Sequence, residues 1–305
     1  MSPSESGLGR ILRSGRFSVT AEMVPPRSAD RSGIEGRARG LVGYADAVNV
    51  TDNPTSSAHM SPLAGVAVLS AAGIEPTIQL TCRDRNRLAL TADLLGAWAL
   101  GARNLLCLSG DPAGRGDHPD ATEVFDLSVL DLVRLAVRLR DESRLLSGAQ
   151  IDGPPRYLVG VADTPLVERY DPARLEAKID AGADFVQTQI VYDVDAFATW
   201  ADLVRPLGLL ERAFLLAGVV PLRSAKHARF MGRLPGVSVP PALIRRLEEA
   251  GPDAAEVGTS IAVDVIEALR AIAGLAGVHL MGLGDDGIAS VVEGAGLLPR
   301  PVVAD

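Results

Sequence analysis

Short apolar stretches alternate with longer amphipathic ones along the chain, and this alternation predicts that strands and helices alternate as well. In residues 17–24 apolar and polar side chains mostly alternate, which predicts a β-strand. The pair Pro25 and Pro26 ends this strand, because proline has no N–H group to donate to a sheet. Similar stretches predict seven more strands, over residues 46–51, 75–81, 104–109, 157–163, 184–189, 213–220 and 278–283.

Helical patterns fill most of the intervals between these strands. Gly73, Gly101 and Gly182 follow three of the predicted helices as C-caps, and Asp84 is the predicted N-cap of the second helix. The predicted helices cover residues 60–72, 84–100, 127–142, 172–181, 194–207, 224–231, 241–250 and 253–273, and a last one ends near residue 294.

This order of elements, without a composition break that would mark a linker, predicts an α/β fold: a (β/α)8 TIM barrel in a single domain. We place the barrel over residues 17–305 and expect residues 1–16, which are rich in Ser, Gly and Arg, to be flexible. An open doubly wound sheet is the main alternative. It is disfavoured because no Gly-x-Gly-x-x-Gly motif follows a strand and opens a helix.

The predicted strand ends are mostly polar, and in a barrel the active site lies at these ends. Glu22 near the end of an apolar strand has two interpretations, since burying an unpaired carboxylate is costly. It either pairs with Lys or Arg or points to solvent, or it is a desolvated acid that can donate a proton. Asp111 after Gly110 is, by itself, typical of a turn. The strand ends are Glu22, Thr51, Gln79, Thr81, Asp111, Asp163, Gln189, Val220 and Leu283.

Composition and charge narrow the classes of molecule that the protein is expected to bind. The chain has 305 residues, 30 basic against 38 acidic, and this net charge of −8 argues against nucleic acid or an anionic membrane surface. No apolar run is long enough for a membrane span, and residues 1–16 contain no signal peptide. Cys82 and Cys107 lie far apart, and the four histidines are not spaced as ligand pairs. We therefore expect a cytoplasmic protein without a metal site or disulfide.

Six short motifs resemble, in the same order, those of the methylenetetrahydrofolate reductase family. The motifs are Glu22 with Pro25 and Pro26, then residues 49–53 (NVTDN), 79–84 (QLTCRD), 108–111 (LSGD), 178–183 (KIDAGA) and 187–189 (QTQ). The resemblance extends from residue 17 to residue 301. It is closest to the short bacterial form, in particular the branch of acetogens and other one-carbon metabolisers, which residues 46–53 and 277–281 resemble.

The resemblance implies a barrel that binds FAD or FMN, takes hydride from NADH or NADPH, and reduces 5,10-methylenetetrahydrofolate to 5-methyltetrahydrofolate or runs in reverse. It implies that Glu22 is the general acid and that Asp111 lies beside the pterin and the flavin. Gln189 and His227 are expected to bind the substrate, together with Glu22 and Asp111. The implied cofactor-binding residues are Thr51, Gln79, Thr81, Ser109, Gly110, Asp111, Ala162 and Lys178.

Several positions depart from the family pattern. Gln79 stands where many members have histidine, Ser109 where many have arginine, and the acidic Asp163 near a usual histidine position. The sequence therefore leaves open whether the flavin is FAD or FMN. It also leaves open direct hydride transfer from NADH to folate without flavin. The usual arginine for the folate tail is replaced at residues 284–286, which leaves Arg83 or Arg223 as substitutes. The alternative function is a non-catalytic or flavin-poor partner subunit of a multi-protein redox complex, which retains the barrel. The sequence leaves open whether the chain forms a homo-oligomer or binds a redox partner protein.

Overall fold

Eight parallel strands close into a barrel, and each strand pairs with its neighbour in sequence until β8 returns to β1. The computed structural model describes residues 4–282 and 285–300, and for 285 and 286 it describes the backbone alone. The strands are β1 (Ser18–Met23), β2 (Ala47–Val50), β3 (Pro76–Thr81), β4 (Asn104–Leu108), β5 (Leu158–Asp163), β6 (Phe185–Ile190), β7 (Phe214–Val219) and β8 (Leu275–Leu280).

Helices surround this barrel and connect successive strands. They are α1 (Gly7–Arg13), α2 (Ser32–Leu41), α3 (Pro62–Ala71), α4 (Arg87–Ala99), α5 (Val129–Glu142), α6 (Pro172–Asp180), α7 (Val194–Val204), α8 (Leu209–Arg212), α9 (Ala225–Met231), α10 (Pro241–Ala250), α11 (Ala254–Arg270) and α12 (Asp285–Gly294). Within the described ranges, every helix is too short or too polar to cross a membrane.

The predicted single-domain (β/α)8 barrel is confirmed, and the open-sheet alternative is excluded because β8 pairs with β1. The eighth strand begins three residues earlier than predicted, because Leu275 pairs with Leu215 on β7. Its predicted last residue, Leu283, lies outside the described residues, as do residues 301–305 at the end of the predicted domain.

Helix α1 lies within the segment that was expected to be flexible. Its Leu8 and Leu12 are buried in the lower end of the barrel, in a cluster with apolar side chains from β2, β4, β5, β6 and β7. The carboxylate of Glu75 accepts hydrogen bonds from the backbone N–H groups of Gly7 (2.7 Å) and Leu8 (2.9 Å). These donors have no partner within the helix, so Glu75 holds α1 in place. Residues 7–13 are therefore part of the barrel's packing.

Two smaller differences concern helix ends. Asn86, and not Asp84, is the N-cap of α4, and its side chain accepts from the backbone of Leu88 and Ala89. The side chain of Asp84 is bound to Arg83 instead. Helix α2 was not predicted, although Ile34, Ala38 and Leu41 have helical spacing and are buried.

Candidate active site

Glu22 lies near the carboxyl end of β1, partly buried, and among the described residues no Lys or Arg lies within ion-pairing distance of it. Burial raises the pKa of its carboxyl group from 4.5 to about 7, and a hydrogen bond from Gln79 opposes that rise. The arrangement favours a desolvated acid over a charge-paired one. The catalytic role of Glu22 stays a prediction.

Three predicted cofactor-binding residues lie on neighbouring strand ends around Glu22. Gln79 is buried on β3 and bonded to Glu22. The hydroxyl of Thr51, just after β2, is buried and has no hydrogen-bond partner. The hydroxyl of Thr81 donates to Asp52 (2.9 Å), which Arg85 also binds (2.7 Å), so this hydroxyl is already committed within the protein.

The end of β4 brings Ser109, Gly110 and Asp111 to the rim of the mouth. Gly110 has a φ of +95°, and a Cβ there would lie 2.8 Å from the Cβ of Arg83, so both backbone and space require glycine. The Asp111 carboxylate is exposed, 3.8 Å from the guanidinium of Arg115. Its backbone oxygen accepts from Ser56 (2.7 Å) and Arg83 (3.1 Å). These bonds hold the rim of β4 against the loop after β2.

The end of β5 carries the candidate phosphate site. The ammonium of Lys178, on α6, donates to the backbone oxygen of Ala162 (2.6 Å) and to the carboxylate of Asp163 (3.2 Å). Tyr170 donates to the other carboxylate oxygen of Asp163 (2.9 Å). Asp163 therefore neutralises Lys178 within the protein, while a third N–H of the ammonium remains to donate.

The ends of β6 and β7 carry the predicted substrate-binding residues. The side-chain oxygen of Gln189 accepts from the backbone N–H of Ile190 (3.0 Å), and its amide nitrogen lies 3.4 Å from the oxygen of Pro235. His227 lies in the first turn of α9, and its Nδ1 accepts from the backbone N–H of Arg223 (3.2 Å). Burial and the charge of Arg223 lower the pKa of His227, which favours the neutral ring.

The two arginines proposed for the folate tail differ in availability. Arg83 is buried and binds Asp84, Ser56 and backbone oxygens of the rim loops, so it is a structural residue. Arg223 is exposed and donates to the backbone oxygen of Gly282, which follows β8. Arg223 is thus the one of the two that a ligand can reach. Gly284 lies outside the described residues.

The loop after β4, which includes residues 113–126, is long for a connection within a compact domain. It crosses the loop after β2, where Gly116 packs against the backbone of Ser56. The carboxylate of Asp117 then accepts from the N–H of Ala58 (3.1 Å) and pairs with Arg27 (3.0 Å), which follows β1. The loop therefore connects the rim of β4 with the rim of the strand that carries Glu22.

A group of polar residues inside the barrel was not predicted. Asn49, Gln187, Thr20 and His279 are buried below the mouth and bond one another. The sequence did contain a signal, because Asn49 and Gln187 are uncharged polar residues within otherwise apolar strands. Only barrel closure shows that they meet, since they come from strands on opposite sides.

The mouth suits the flavin that the resemblance implies. The hydroxyl of Thr51, just after β2, is buried and has no partner, and the Lys178 ammonium has an N–H left to donate near the end of β5. Hydroxyl, amide and ammonium donors are the groups that bind a heteroatom-rich ring and a phosphate. Across the described residues, no cluster of His, Cys, Asp and Glu is arranged to hold a metal ion.

Comparisons with known proteins agree with the resemblance. A family model described as methylenetetrahydrofolate reductase matches residues 8–295. Methylenetetrahydrofolate reductase 2 of Schizosaccharomyces pombe is 29% identical over 240 residues, which cover 74% of this chain and 36% of that relative. The chain thus spans about a third of the length of the fungal relatives it matches.

A bacterial relative is closer to this chain in length than the fungal relatives are. The 5,10-methylenetetrahydrofolate reductase of Pectobacterium carotovorum is 26% identical over 270 residues, covering 84% of this chain and 82% of the relative. Among solved structures, 2,3-dimethylmalate lyase has a TM-score of 0.51 and 14% identity, covering 91% of this chain and 81% of the other. That likeness shows the fold alone.

Proposed function

We propose a function from one premise: this chain belongs to the methylenetetrahydrofolate reductase family. We infer that it reduces 5,10-methylenetetrahydrofolate to 5-methyltetrahydrofolate, or catalyses the reverse, with hydride supplied by NADH or NADPH. The bacterial relative of similar length, which is named for this reaction, supports the proposal. We also propose that the protein works in the cytoplasm.

The observation that carries the proposal is the state of Glu22. A carboxyl group with a pKa of about 7 is partly protonated near neutral pH, as a general acid requires. In this reaction the acid protonates the N10 atom of the folate, which opens the five-membered ring to an iminium ion that accepts hydride. The proton leaves Glu22, and the carboxylate that remains is stabilised by the hydrogen bond from Gln79.

The remaining mouth residues orient the ligands in this proposal. Gln189 and Asp111 would hydrogen-bond the pterin ring, and His227 would contact the substrate from the rim of β7. Arg223 would bind the carboxylates of the folate tail, because it is the exposed arginine on that side. Holding the two reactants in a fixed geometry supplies a large part of the rate enhancement in such reactions.

We propose that FAD or FMN binds across the strand ends and supplies the hydride-transfer chemistry when bound. Thr51, Thr81, Gln79, Ser109 and Gly110 would hold its ring system, with Asp111 beside it. Lys178, next to Ala162, would bind a phosphate through its remaining N–H. The buried, unpartnered hydroxyl of Thr51 supports this placement.

The test uses the purified full chain, its absorption spectrum and an assay for 5-methyltetrahydrofolate. We expect a yellow protein that forms this product from 5,10-methylenetetrahydrofolate and NADH or NADPH. A colourless protein that forms the product would retain the reductase and reject the flavin. A protein that forms no product with either nucleotide, with or without added FAD and FMN, would contradict the proposal and support the partner-subunit alternative.

A further inference from the structure

The side chain of Gln187 spans the interior of the barrel. Its Oε1 accepts a hydrogen bond from Asn49 Nδ2 (2.8 Å), and its Nε2 lies 3.3 Å from Asn49 Oδ1. Gln187 is on β6 and Asn49 is on β2, which stand opposite each other in the closed order of eight strands. The paired amides therefore cross the barrel axis.

The same amide reaches two further strands. Gln187 Nε2 lies 3.3 Å from Nδ1 of His279 on β8 and 3.4 Å from the hydroxyl of Thr20 on β1. The Thr20 hydroxyl is itself 2.9 Å from His279 Nδ1. All four side chains are buried, and their mutual bonds fix them in place. We call Thr20, Asn49, Gln187 and His279 the polar floor.

Two residues of the polar floor border Glu22. Thr20 precedes Glu22 by two residues on β1, a step of about 7 Å along one face of a strand. Asn49 is the register partner of Glu22 on the neighbouring strand. On β6, Phe185 below Gln187 belongs to the apolar lower cluster, whereas Gln189 above it reaches the mouth. The floor thus separates the apolar bottom from the mouth.

The floor carries no charge. Burial lowers the pKa of His279 to about 3, so its ring is neutral at any pH where the protein would work. The charged groups above Glu22 have partners of their own: Asp52 with Arg85, Asp163 with Lys178, and Asp111 with Arg115. His227 and Arg223, from the end of β7, bond to each other at the rim, and Gln79 on β3 is uncharged.

We propose that Gln187 is a positioning residue that closes the barrel beneath Glu22 and keeps water away from the lower side of its carboxyl group. Its amide meets that of Asn49 across the barrel and also lies within hydrogen-bonding distance of His279 and Thr20. A smaller side chain would open a polar space next to Asn49 and His279, which is the kind of space that holds water. The proposal rests on the proposed function only for what Glu22 does with its proton.

The test compares two substitutions of Gln187. Gln187→Ala opens the space, so water solvates the carboxylate and the pH midpoint of Glu22 falls by about one unit, a tenfold change in proton affinity. Gln187→Met keeps the volume but not the bonds, so the midpoint stays within about 0.3 unit of the parent while the thermal midpoint falls, since Asn49 loses its partner. Should the alanine variant not fold, Gln187→Asn is measured instead, with a shift in the same direction.

The midpoint is read in two ways: from the pH dependence of kcat/KM, and from NMR of carboxyl-labelled glutamate, with Glu22→Gln identifying the signal. Thr77→Val is the matched control, because its buried hydroxyl has no partner and its removal should leave the midpoint unchanged. A folded alanine or asparagine variant with the parental midpoint, or equal shifts in both the small and the methionine variant, would overturn the proposal. The NMR titration needs no turnover. If the parent protein is inactive and Gln187→Ala still shifts the midpoint of Glu22, the reductase function alone is refuted.

Discussion

The side chains of Glu22 on β1 and Gln79 on β3 are joined by a hydrogen bond at the mouth of the barrel. The bond favours the charged carboxylate, whereas burial favours the neutral acid, and burial is the larger effect. Because the described residues bring no cation to Glu22, the acid keeps a pKa of about 7. These opposing effects lead to predictions for stability as well as for catalysis.

Glu22 should destabilise the folded protein at high pH. Its folded pKa of about 7 lies above the unfolded value of 4.5, so the folded state binds the proton more tightly. The cost is absent below the unfolded pKa, grows as the pH rises and reaches on the order of 3 kcal/mol above the folded pKa. Glu22→Gln should therefore stabilise the protein at about pH 8 and change little near pH 4. Urea unfolding at both pH values checks this, and an equal difference at both would contradict it.

Lys178→Met should weaken flavin binding by at least tenfold, which corresponds to about 1.4 kcal/mol. The substitution removes the ammonium group at the end of β5 and leaves Asp163 bonded to Tyr170. Titration of the apoprotein with FAD or FMN, followed by flavin fluorescence, measures the affinity. Arg134→Met on the exposed face of the neighbouring helix α5 is the control. Equal affinities for the Lys178 variant and the control would exclude Lys178 as a phosphate ligand.

Arg223→Gln should raise KM for the folate substrate by about tenfold and leave kcat nearly unchanged, because the lost contact lies far from the reacting atoms. The effect should disappear with a substrate that lacks the glutamate tail, for which parent and variant should agree. Steady-state kinetics with both substrates measures the difference. An equal rise in KM for both substrates would show that Arg223 does not read the tail.

Leu8→Ala should destabilise the barrel by about 2–5 kcal/mol, the range for removing a buried leucine side chain. Leu8 is fully buried in the lower end of the barrel, in a cluster with buried residues of five strands. Leu88→Ala is the control, since Leu88 is 77% exposed and should change stability by less than about 0.5 kcal/mol. Thermal or urea unfolding distinguishes the two. If both variants unfold like the parent, α1 does not contribute to the core.

The strands were predictable because each is a short apolar stretch between turn signals, and most observed bounds lie within one or two residues of the prediction. The eighth strand was displaced because its bounds depend on pairing with β7 and β1, which no local pattern contains. Helix α1 was missed for a similar reason. Its stability depends on Glu75 and on the barrel's lower end, which are distant in sequence.

The site was predictable at the strand ends and not below them. Glu22 was identified as a candidate from its position, and its surroundings agree with a desolvated acid. Arg83 could not be distinguished from Arg223 by sequence, because only the folded rim shows that Arg83 is bonded to Asp84 and Ser56. Gln187 belongs to the last of the six motifs, residues 187–189, but its contact with Asn49 exists only in a closed barrel.

The most direct measurement is the rate of 5-methyltetrahydrofolate formation by Glu22→Gln, with the parent and Thr77→Val assayed alongside. The account predicts that Glu22→Gln loses at least a hundredfold in rate, as expected when a general acid is removed, while it still folds and binds the folate with an affinity close to that of the parent. A Glu22→Gln variant that forms the product at nearly the parental rate would contradict the assignment of Glu22 as the proton donor.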